Sequence, residues 1–150
     1  METAHKYKSH NVSYILYHFV CPIKNRRKVL WSEKRRQDIV TICNEIEENY
    51  EIYFVEIGAD MDHVHFLIQS VPILSPKQII TTIKSFTGRI MFERNPELKK
   101  ELLNNKFWTS GYYVNTVWRY GSEDTIRNYV KNQGKEKTYE RIHKSQIQMF

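Results

Sequence analysis

Residues 52–68, with the sequence IYFVEIGADMDHVHFLI, indicate the fold of this chain. The first six residues of this stretch are rich in β-branched and aromatic side chains and predict a strand, and Gly58 to Asp60 are typical of a turn. From His63 onward, apolar and other residues alternate as in a second strand, so the stretch predicts a β-hairpin. The alternation puts two histidines on one face and three apolar side chains on the other. These are His63 and His65 against Val64, Phe66 and Ile68.

The segments around this hairpin follow the order of a split βαβ fold. Before it, residues 11–23 predict a long strand, and Ser32 begins a helix that ends near Tyr50. After it, Ser75 and Pro76 begin a second helix in the preferred order of N-cap and first helical residue. Three further elements are a short helix within residues 96–103, a strand at 111–118 and a helix that begins at Ser122. The order predicts an α+β, ferredoxin-like domain: a central antiparallel sheet, helices on one face, and an extra C-terminal helix.

Length and composition predict one intracellular domain. A chain of 150 residues with 41% hydrophobic residues has the size of a single compact domain, here residues 1–150, with residues 135–150 as a loosely packed basic extension. The two cysteines, Cys21 and Cys43, have no framework spacing and are expected to be reduced buried thiols. Residues typical of a signal peptide or a membrane span are not found, so we expect a cytoplasmic protein.

The charge of the chain favours an anionic partner. The chain has 23 Lys+Arg against 17 Asp+Glu, a net charge of +6 and a pI near 9.3, which suits nucleic acid, although many basic surfaces are only solvated. A second feature is the aromatic stretch 108–120, for which a core or subunit interface is favoured over base stacking. Neither a membrane nor a nucleotide cofactor is expected. The candidate DNA contacts are Lys24, Arg26, Arg27, Lys28, Arg35, Lys84 and Arg89.

The two histidines of the hairpin are candidate metal ligands. An isolated H-x-H pattern is weak, since ordinary hydrogen-bonded histidines show it too. Neutral imidazoles bind Mg²⁺, Mn²⁺ or Zn²⁺, and the amide oxygen of Gln133 would be a third ligand that adds no charge. With no cysteine nearby, an open catalytic site is the better metal hypothesis. Asp60 and Asp62 alternate onto the other face, although the turn allows either one to swing back as a ligand or supporting partner.

Tyr129 lies one helical turn before Gln133 and is a candidate nucleophile. A phenol oxygen beside a metal is able to attack a phosphodiester once its proton is removed. A helix tyrosine that packs its ring on the core is the ordinary alternative. The metal hypothesis therefore requires the strand and this helix to meet in space.

An ordered set of segments covers nearly the whole chain and carries a family resemblance. The set comprises residues 17–20, 24–30, 62–65, 84–89, 108 with 111–114, and 129–133. In this set the chain resembles the single-tyrosine HUH transposases of the insertion sequence 200/605 type.

The resemblance implies a chemistry and an assembly. It implies that His63, His65 and Gln133 bind Mg²⁺ or Mn²⁺, and that Tyr129 is the nucleophile. It further implies a homodimer that binds DNA hairpins at transposon ends and cleaves single-stranded DNA, leaving a 5′-phosphotyrosine and a free 3′-OH. In this family the tyrosine helix of one subunit can complete the metal site of the other, and the sequence leaves open which arrangement this chain adopts.

Other functions are compatible with parts of the pattern. A non-catalytic ferredoxin-like nucleic-acid-binding domain would explain the charge and the aromatic residues. Such a domain does not require the four candidate site residues to lie close together: His63, His65, Tyr129 and Gln133. Another HUH single-strand endonuclease, such as a replication initiator or relaxase, shares the chemistry, but the chain has no room for a helicase module. A metal-dependent or two-histidine phosphoesterase is a third alternative, and the lack of a second H-x-[ST] motif counts against the metal-free version.

Overall fold

The computed structural model describes residues 5–8, 11–117 and 140–144 of the chain. Within these ranges it contains seven strands and three α-helices. The strands are β1 (Lys6–Lys8), β2 (Asn11–Ser13), β3 (Ile15–Pro22), β4 (Tyr53–Ala59), β5 (His63–Ser70), β6 (Tyr113–Thr116) and β7 (Glu140–Lys144). The helices are α1 (Glu33–Asn49), α2 (Pro76–Arg94) and α3 (Leu98–Glu101).

Five strands form one sheet in the order β6-β3-β5-β4-β7, and every neighbouring pair is antiparallel. The succession β3-α1-β4-β5-α2-β6 is the split βαβ arrangement, and it confirms the predicted ferredoxin-like fold. β5, which carries the H-x-H pattern, lies at the centre of the sheet. The predicted helix after Ser122 lies outside the described residues.

Both long helices pack on the same face of the sheet. Each packs through an apolar stripe, because its apolar residues recur every three or four positions. α1 begins after Ser32, whose hydroxyl accepts a hydrogen bond from the Arg35 amide at 3.1 Å. α2 begins with a capping box between Ser75 and Gln78. The main core combines buried residues of α1 and α2 with those of β5. These include Ile39, Ile42, Cys43, Ile46, Ile79, Ile80, Ile83, Met91, Val64, Phe66 and Ile68.

A bulge in β4 decides which of its side chains face the helices. The register with β5 shifts between Phe54 and Glu56, so that Glu56 lies opposite Leu67 and Gly58 lies opposite His65. Without the extra residue, Glu56 would enter the core and Ile57 would lie opposite His65. The shift therefore keeps Ile57 in the core and leaves a position without a side chain beside His65.

The two ends of the described chain differ from the predictions. The predicted long strand is divided, since β2 pairs with β1 as a separate two-stranded sheet and β3 begins after Tyr14. The basic extension contains β7, which pairs with the edge of β4 instead of remaining loosely packed. Backbone pairing at an open edge requires no apolar pattern, which is why the sequence did not reveal this strand. Among the described helices, none has the length and apolarity to cross a membrane.

Candidate metal centre and nucleic-acid surface

His63 and His65 lie on the sheet face that is turned away from the helices, as their alternation predicts. Val64 and Phe66 point into the main core, which fixes the opposite orientation for the two histidines. Both histidines are buried, with His63 5% and His65 0% exposed. Their imidazoles are therefore held in a protected environment.

Asp60 joins the two histidines in one cluster. It lies in the turn between β4 and β5, where its amide donates a hydrogen bond to the His63 carbonyl at 2.9 Å. One carboxylate oxygen, Oδ2, lies 3.0 Å from Nε2 of His63. One ligand atom from each of Asp60, His63 and His65 lies within 4.8 Å of the other two. The turn thus brings back one of the two aspartates whose position the sequence left open.

The donor atoms of this cluster fit a divalent metal ion. Imidazole nitrogen suits zinc and other transition metals, whereas carboxylate oxygen suits magnesium and manganese, so a mixed set accepts several of these ions. The cluster supplies three side chains and leaves further coordination positions for other groups, as catalytic sites require. The carboxylate also adds one negative charge, in contrast to the uncharged ligand set that the sequence predicted.

Asp62 holds His63 from the other side of its ring. Its Oδ1 lies 2.7 Å from His63 Nδ1, and its Oδ2 accepts a hydrogen bond from Nε of Arg26 at 3.1 Å. Burial opposes ionisation of this carboxyl, but the hydrogen bonds and charges of His63 and Arg26 outweigh it and lower the Asp62 pKa. An ionised carboxylate on Nδ1 leaves Nε2 of His63 directed at Asp60 and at the metal position.

His18 holds His65 in a comparable way. Nε2 of His18 lies 3.0 Å from Nδ1 of His65, and both side chains are fully buried. Burial lowers the pKa of His18 to about 4, although a hydrogen bond with Asn115 opposes this shift. Burial, followed by the charges of His18 and His63, lowers the pKa of His65 to about 3. Both imidazoles are therefore neutral at physiological pH, which is the form that binds metals.

The basic loop between β3 and α1 is fastened to the turn that carries the aspartates. The Ile23 amide donates to the Asp62 carbonyl at 2.8 Å, and the Leu30 amide donates to the Met61 carbonyl at 3.0 Å. Arg26 adopts a φ of 54°, a left-handed conformation that is uncommon for arginine. Three of the predicted contacts in this loop, Arg26, Arg27 and Lys28, are exposed, and Lys24 is half-buried.

Arg35 is buried, whereas a residue that contacts DNA is expected to lie on the surface. Its side chain is only 2% exposed and forms ion pairs with Glu101 and Glu97. It also donates a hydrogen bond to the Val29 carbonyl at 2.9 Å. The spacing of α1 turns this residue inward, so we do not include it in the DNA surface.

Lys84 and Arg89 line an open cleft of about 630 Å³ between α2 and residues 105–110. Four cations contribute to this cleft, and no carboxylate does among the described lining residues: the cations are Lys84, Arg89, Lys99 and Lys106. Lys84 donates to the carbonyls of Thr109 and Gly111 at 2.7 and 3.1 Å, and burial lowers its pKa. Arg89 is exposed.

The described aromatic residues of the stretch divide between the core and the surface. Trp108 is 7% exposed and donates its indole N–H to the Thr87 hydroxyl at 2.8 Å, which confirms a core position. Tyr112 and Tyr113 are exposed. The other two aromatic residues of the stretch, Trp118 and Tyr120, lie outside the described residues.

The second half of the predicted centre is not in the described part of the chain. Tyr129 and Gln133 both lie outside it, so their roles stay predictions.

Sequence reasoning did not identify His18 as a partner of His65. Its only sequence signal is its place in β3, where the two-residue period puts it on the same face as Leu16 and Val20, away from the helices.

The chain is similar in sequence to known transposases. The model of the family described as "Transposase IS200 like" matches residues 11–133. Two relatives, the transposases for insertion sequence element IS200 of Salmonella typhimurium LT2 and Salmonella typhi, are each 31% identical over 120 residues. The match covers 80% of this chain and 77% of each relative.

Two solved structures share the fold. A crystal structure of a protein from Deinococcus radiodurans R1, considered a transposase, has 27% identity and a TM-score of 0.69; the match covers 85% of this chain and 97% of that one. A REP-associated tyrosine transposase bound to a REP hairpin has 12% identity and a TM-score of 0.53, with 83% and 67% covered. The extent of the family match and the identity to the Salmonella proteins show that this chain belongs to the IS200-like transposase family.

Proposed function

We propose that this transposase cleaves and rejoins single-stranded DNA at the ends of its insertion sequence, with Tyr129 as the nucleophile. The observation that carries the proposal is the convergence of Asp60, His63 and His65 on one protected point of the sheet. A protein that only binds nucleic acid has no need for two oriented histidines and a carboxylate there. We propose that these residues bind Mg²⁺ or Mn²⁺ and that Gln133 completes the ligand set.

The proposed reaction conserves the phosphodiester bond. The Tyr129 oxygen attacks the scissile phosphorus, the bond to the 3′ oxygen breaks, and a 5′-phosphotyrosine and a free 3′-OH result. In rejoining, a 3′-OH attacks the phosphotyrosine and the tyrosine oxygen leaves, so no external energy source is required. A divalent ion in the site would polarise a phosphate oxygen and stabilise the charge that develops on it. The two histidines and Asp60 would hold that ion, and their burial limits competition from water.

We propose that the basic loop guides the strand to be cleaved. Lys24, Arg26, Arg27 and Lys28 follow directly after Ile23, whose amide is bonded to the turn of the metal centre. Their charges favour a phosphate backbone beside the scissile position. Arg26 would also transmit DNA contact to Asp62, because it forms an ion pair with that carboxylate.

We propose that the cleft beside α2 binds a different part of the DNA. Its cations lie on the helix side of the sheet, whereas the metal centre lies on the opposite side. This separation suits the binding of a DNA hairpin by one face while single-stranded DNA is cleaved at the other. Arg89 is the exposed predicted contact there, with Lys84 holding the adjacent loop in place.

We further propose a homodimer in which subunits share active sites. The support is the family membership, together with the position of the candidate nucleophile in a segment distinct from the strand that carries the histidines.

The first prediction concerns Tyr129. The full chain is incubated with Mn²⁺ and single-stranded DNA that carries the end of its own insertion sequence, and protein–DNA adducts are resolved under denaturing conditions. We expect Tyr129→Phe to abolish the adduct while the affinity for DNA stays within about twofold, because only the nucleophilic oxygen is removed. Tyr50→Phe, at the end of α1, is the matched control and should form the normal adduct.

An adduct of unchanged yield in Tyr129→Phe would contradict the assignment of the nucleophile. DNA binding without adduct or cleavage in the wild-type protein would instead support a non-catalytic nucleic-acid-binding domain.

A further inference from the structure

His18 is a buried histidine that the proposed reaction does not use. It lies on β3, opposite Leu67 of β5 and Asn115 of β6, on the sheet face that carries the metal centre. Its ring is parallel to that of His65 within 3°, and the ring centroids are 5.2 Å apart. The bonded nitrogens are 3.0 Å apart, and with that distance the two ring centroids can hardly lie farther apart than they do. The rings therefore meet edge to edge, in a well-aligned hydrogen bond, and are not stacked face to face.

The surroundings of His18 are apolar, so burying its polar nitrogen atoms there only for packing would cost free energy. A second, smaller apolar cluster occupies the same face and contains Leu16, Val55 and Leu67. Leu16 is two residues from His18, and Leu67 lies directly opposite it. An apolar residue at position 18 would extend that cluster without burying polar nitrogen atoms. The histidine at position 18 therefore indicates a role that depends on its ring nitrogens and not only on packing.

The hydrogen bond has a chemical direction if His65 binds metal. A single proton lies between Nε2 of His18 and Nδ1 of His65. If His18 donated it, the remaining proton of a neutral His65 would be on Nε2 and would block the lone pair needed by a metal. If His65 donates, Nε2 of His65 carries the lone pair and the proton of His18 lies on Nδ1, on the side of Asn115.

The side chain of Asn115 is compatible with this direction. Its Nδ2 donates to the Thr116 carbonyl at 3.1 Å, and the same side chain forms a hydrogen bond with His18, in which its oxygen would accept the Nδ1–H of His18. His63 has the corresponding arrangement, since Asp62 holds its Nδ1 and its Nε2 faces Asp60.

We propose that His18 is a positioning residue that accepts a hydrogen bond from Nδ1–H of His65 and thereby presents Nε2 of His65 to a divalent metal. This inference rests on the metal-binding part of the proposed function. Asn115 orients His18, so a chain of three side chains crosses from β6 through β3 to the metal centre on β5. Partners of this kind typically change metal affinity by about 10- to 100-fold.

The test combines a tautomer measurement with metal titration of the full-length protein. In the metal-free wild type, nitrogen-15 NMR of the histidine rings should show His65 protonated on Nδ1. In calorimetric titrations with Mn²⁺, His18→Leu should bind at least tenfold more weakly, because the Nδ1–H of His65 loses its acceptor. His18→Gln should recover most of the affinity, since its amide oxygen reaches the position of Nε2. Gln69→Leu, a buried polar residue elsewhere on β5, is the control and should bind as the wild type does.

The outcomes separate this inference from the function on which it rests. If the wild type binds Mn²⁺ and His18→Leu binds equally tightly, the inference is wrong and the metal site stands. A wild-type His65 protonated on Nε2 also overturns the inference, and this measurement needs no variant to fold. If the wild type binds neither Mn²⁺ nor Zn²⁺, the metal-dependent function and the inference both fail.

Discussion

At the scale of single residues, the candidate centre is defined by how each histidine nitrogen is occupied. Asp62 holds Nδ1 of His63, and His18 holds Nδ1 of His65. Both remaining nitrogens are thereby directed to the region of Asp60. A metal site needs this fixed orientation as much as it needs the ligands themselves, because each freely rotating ring would lose entropy on binding.

A second prediction concerns Asp60, the ligand that was not in the predicted set. Asp60→Asn should weaken Mn²⁺ binding by the full-length protein at least tenfold in calorimetric titration, because it removes the only formal negative charge of the three-residue cluster. Asp38→Asn, on α1, should leave the affinity unchanged. Equal affinities for both variants would contradict the contribution of the Asp60 carboxylate charge to metal binding.

At the scale of elements, α1, α3 and the basic loop are joined by an ion pair in which Arg35 is buried and Glu101 is partly exposed. Arg35 of α1 contacts Glu101 of α3, the Val29 carbonyl and the ring of Trp31. Arg35 therefore connects the end of the basic loop to α1 and α3. Removing Arg35 takes away charge-assisted hydrogen bonds to Glu101 and to the Val29 carbonyl, while solvent at the partly exposed Glu101 compensates for part of the loss.

A third prediction uses the pH dependence of this pair. Arg35→Met should reduce the free energy of unfolding at pH 7 by about 2 kcal/mol, whereas Lys99→Met, an exposed change on α3, should have little effect. The hydrogen bond from Arg35 is the main cause of the lowered Glu101 pKa. A carboxyl with a lowered pKa stabilises the folded state above its unfolded-state pKa and ceases to do so as the pH falls through its folded-state value.

The effect of Arg35→Met should therefore become smaller between pH 5 and pH 3. Urea unfolding of both variants and the wild type across this range measures it. An equal loss of stability at both ends of the range would show that Arg35 acts through packing and not through Glu101.

At the scale of the whole molecule, the sheet separates two surfaces with different chemistry. The metal centre lies on one side, where Arg26 of the basic loop pairs with Asp62, while the cationic cleft lies beside α2 on the other. The proposed sharing of sites adds a second subunit to this arrangement. Its consequence is that two inactive variants could complement each other.

A fourth prediction tests this sharing. His63→Ala and Tyr129→Phe should each lack cleavage activity on their own. After co-expression and exchange of subunits, one site of a mixed dimer would combine an intact histidine strand with an intact tyrosine from the other subunit, so cleavage should return to about a quarter of the wild-type rate if half of all dimers are mixed. The rate of denaturation-resistant adduct formation measures it. A mixture that stays inactive, although mixed dimers are shown by a tag on one variant, would favour a site formed within one subunit.

Much of the fold and part of the site could be predicted from residue order. The 3.6-residue spacing of the isoleucines in α1 and α2, the cap at Ser75 and the alternation around His63 are local signals, and each was confirmed. Edge pairing of β7 was missed because backbone hydrogen bonds leave little trace in side-chain pattern. Arg35 was assigned to the surface because a charge run does not show which of its members turns inward.

The sequence by itself determined the α+β fold, the face on which His63 and His65 lie, and the membership of a transposase family, since periodicity and ordered motifs are properties of the chain. Only the tertiary structure decided that Asp60 returns to the histidines and that His18 holds His65. The reason is physical: a turn conformation and a pairing between strands 47 residues apart depend on the register of the sheet. That register is set by the packing of the whole core and by the bulge at β4.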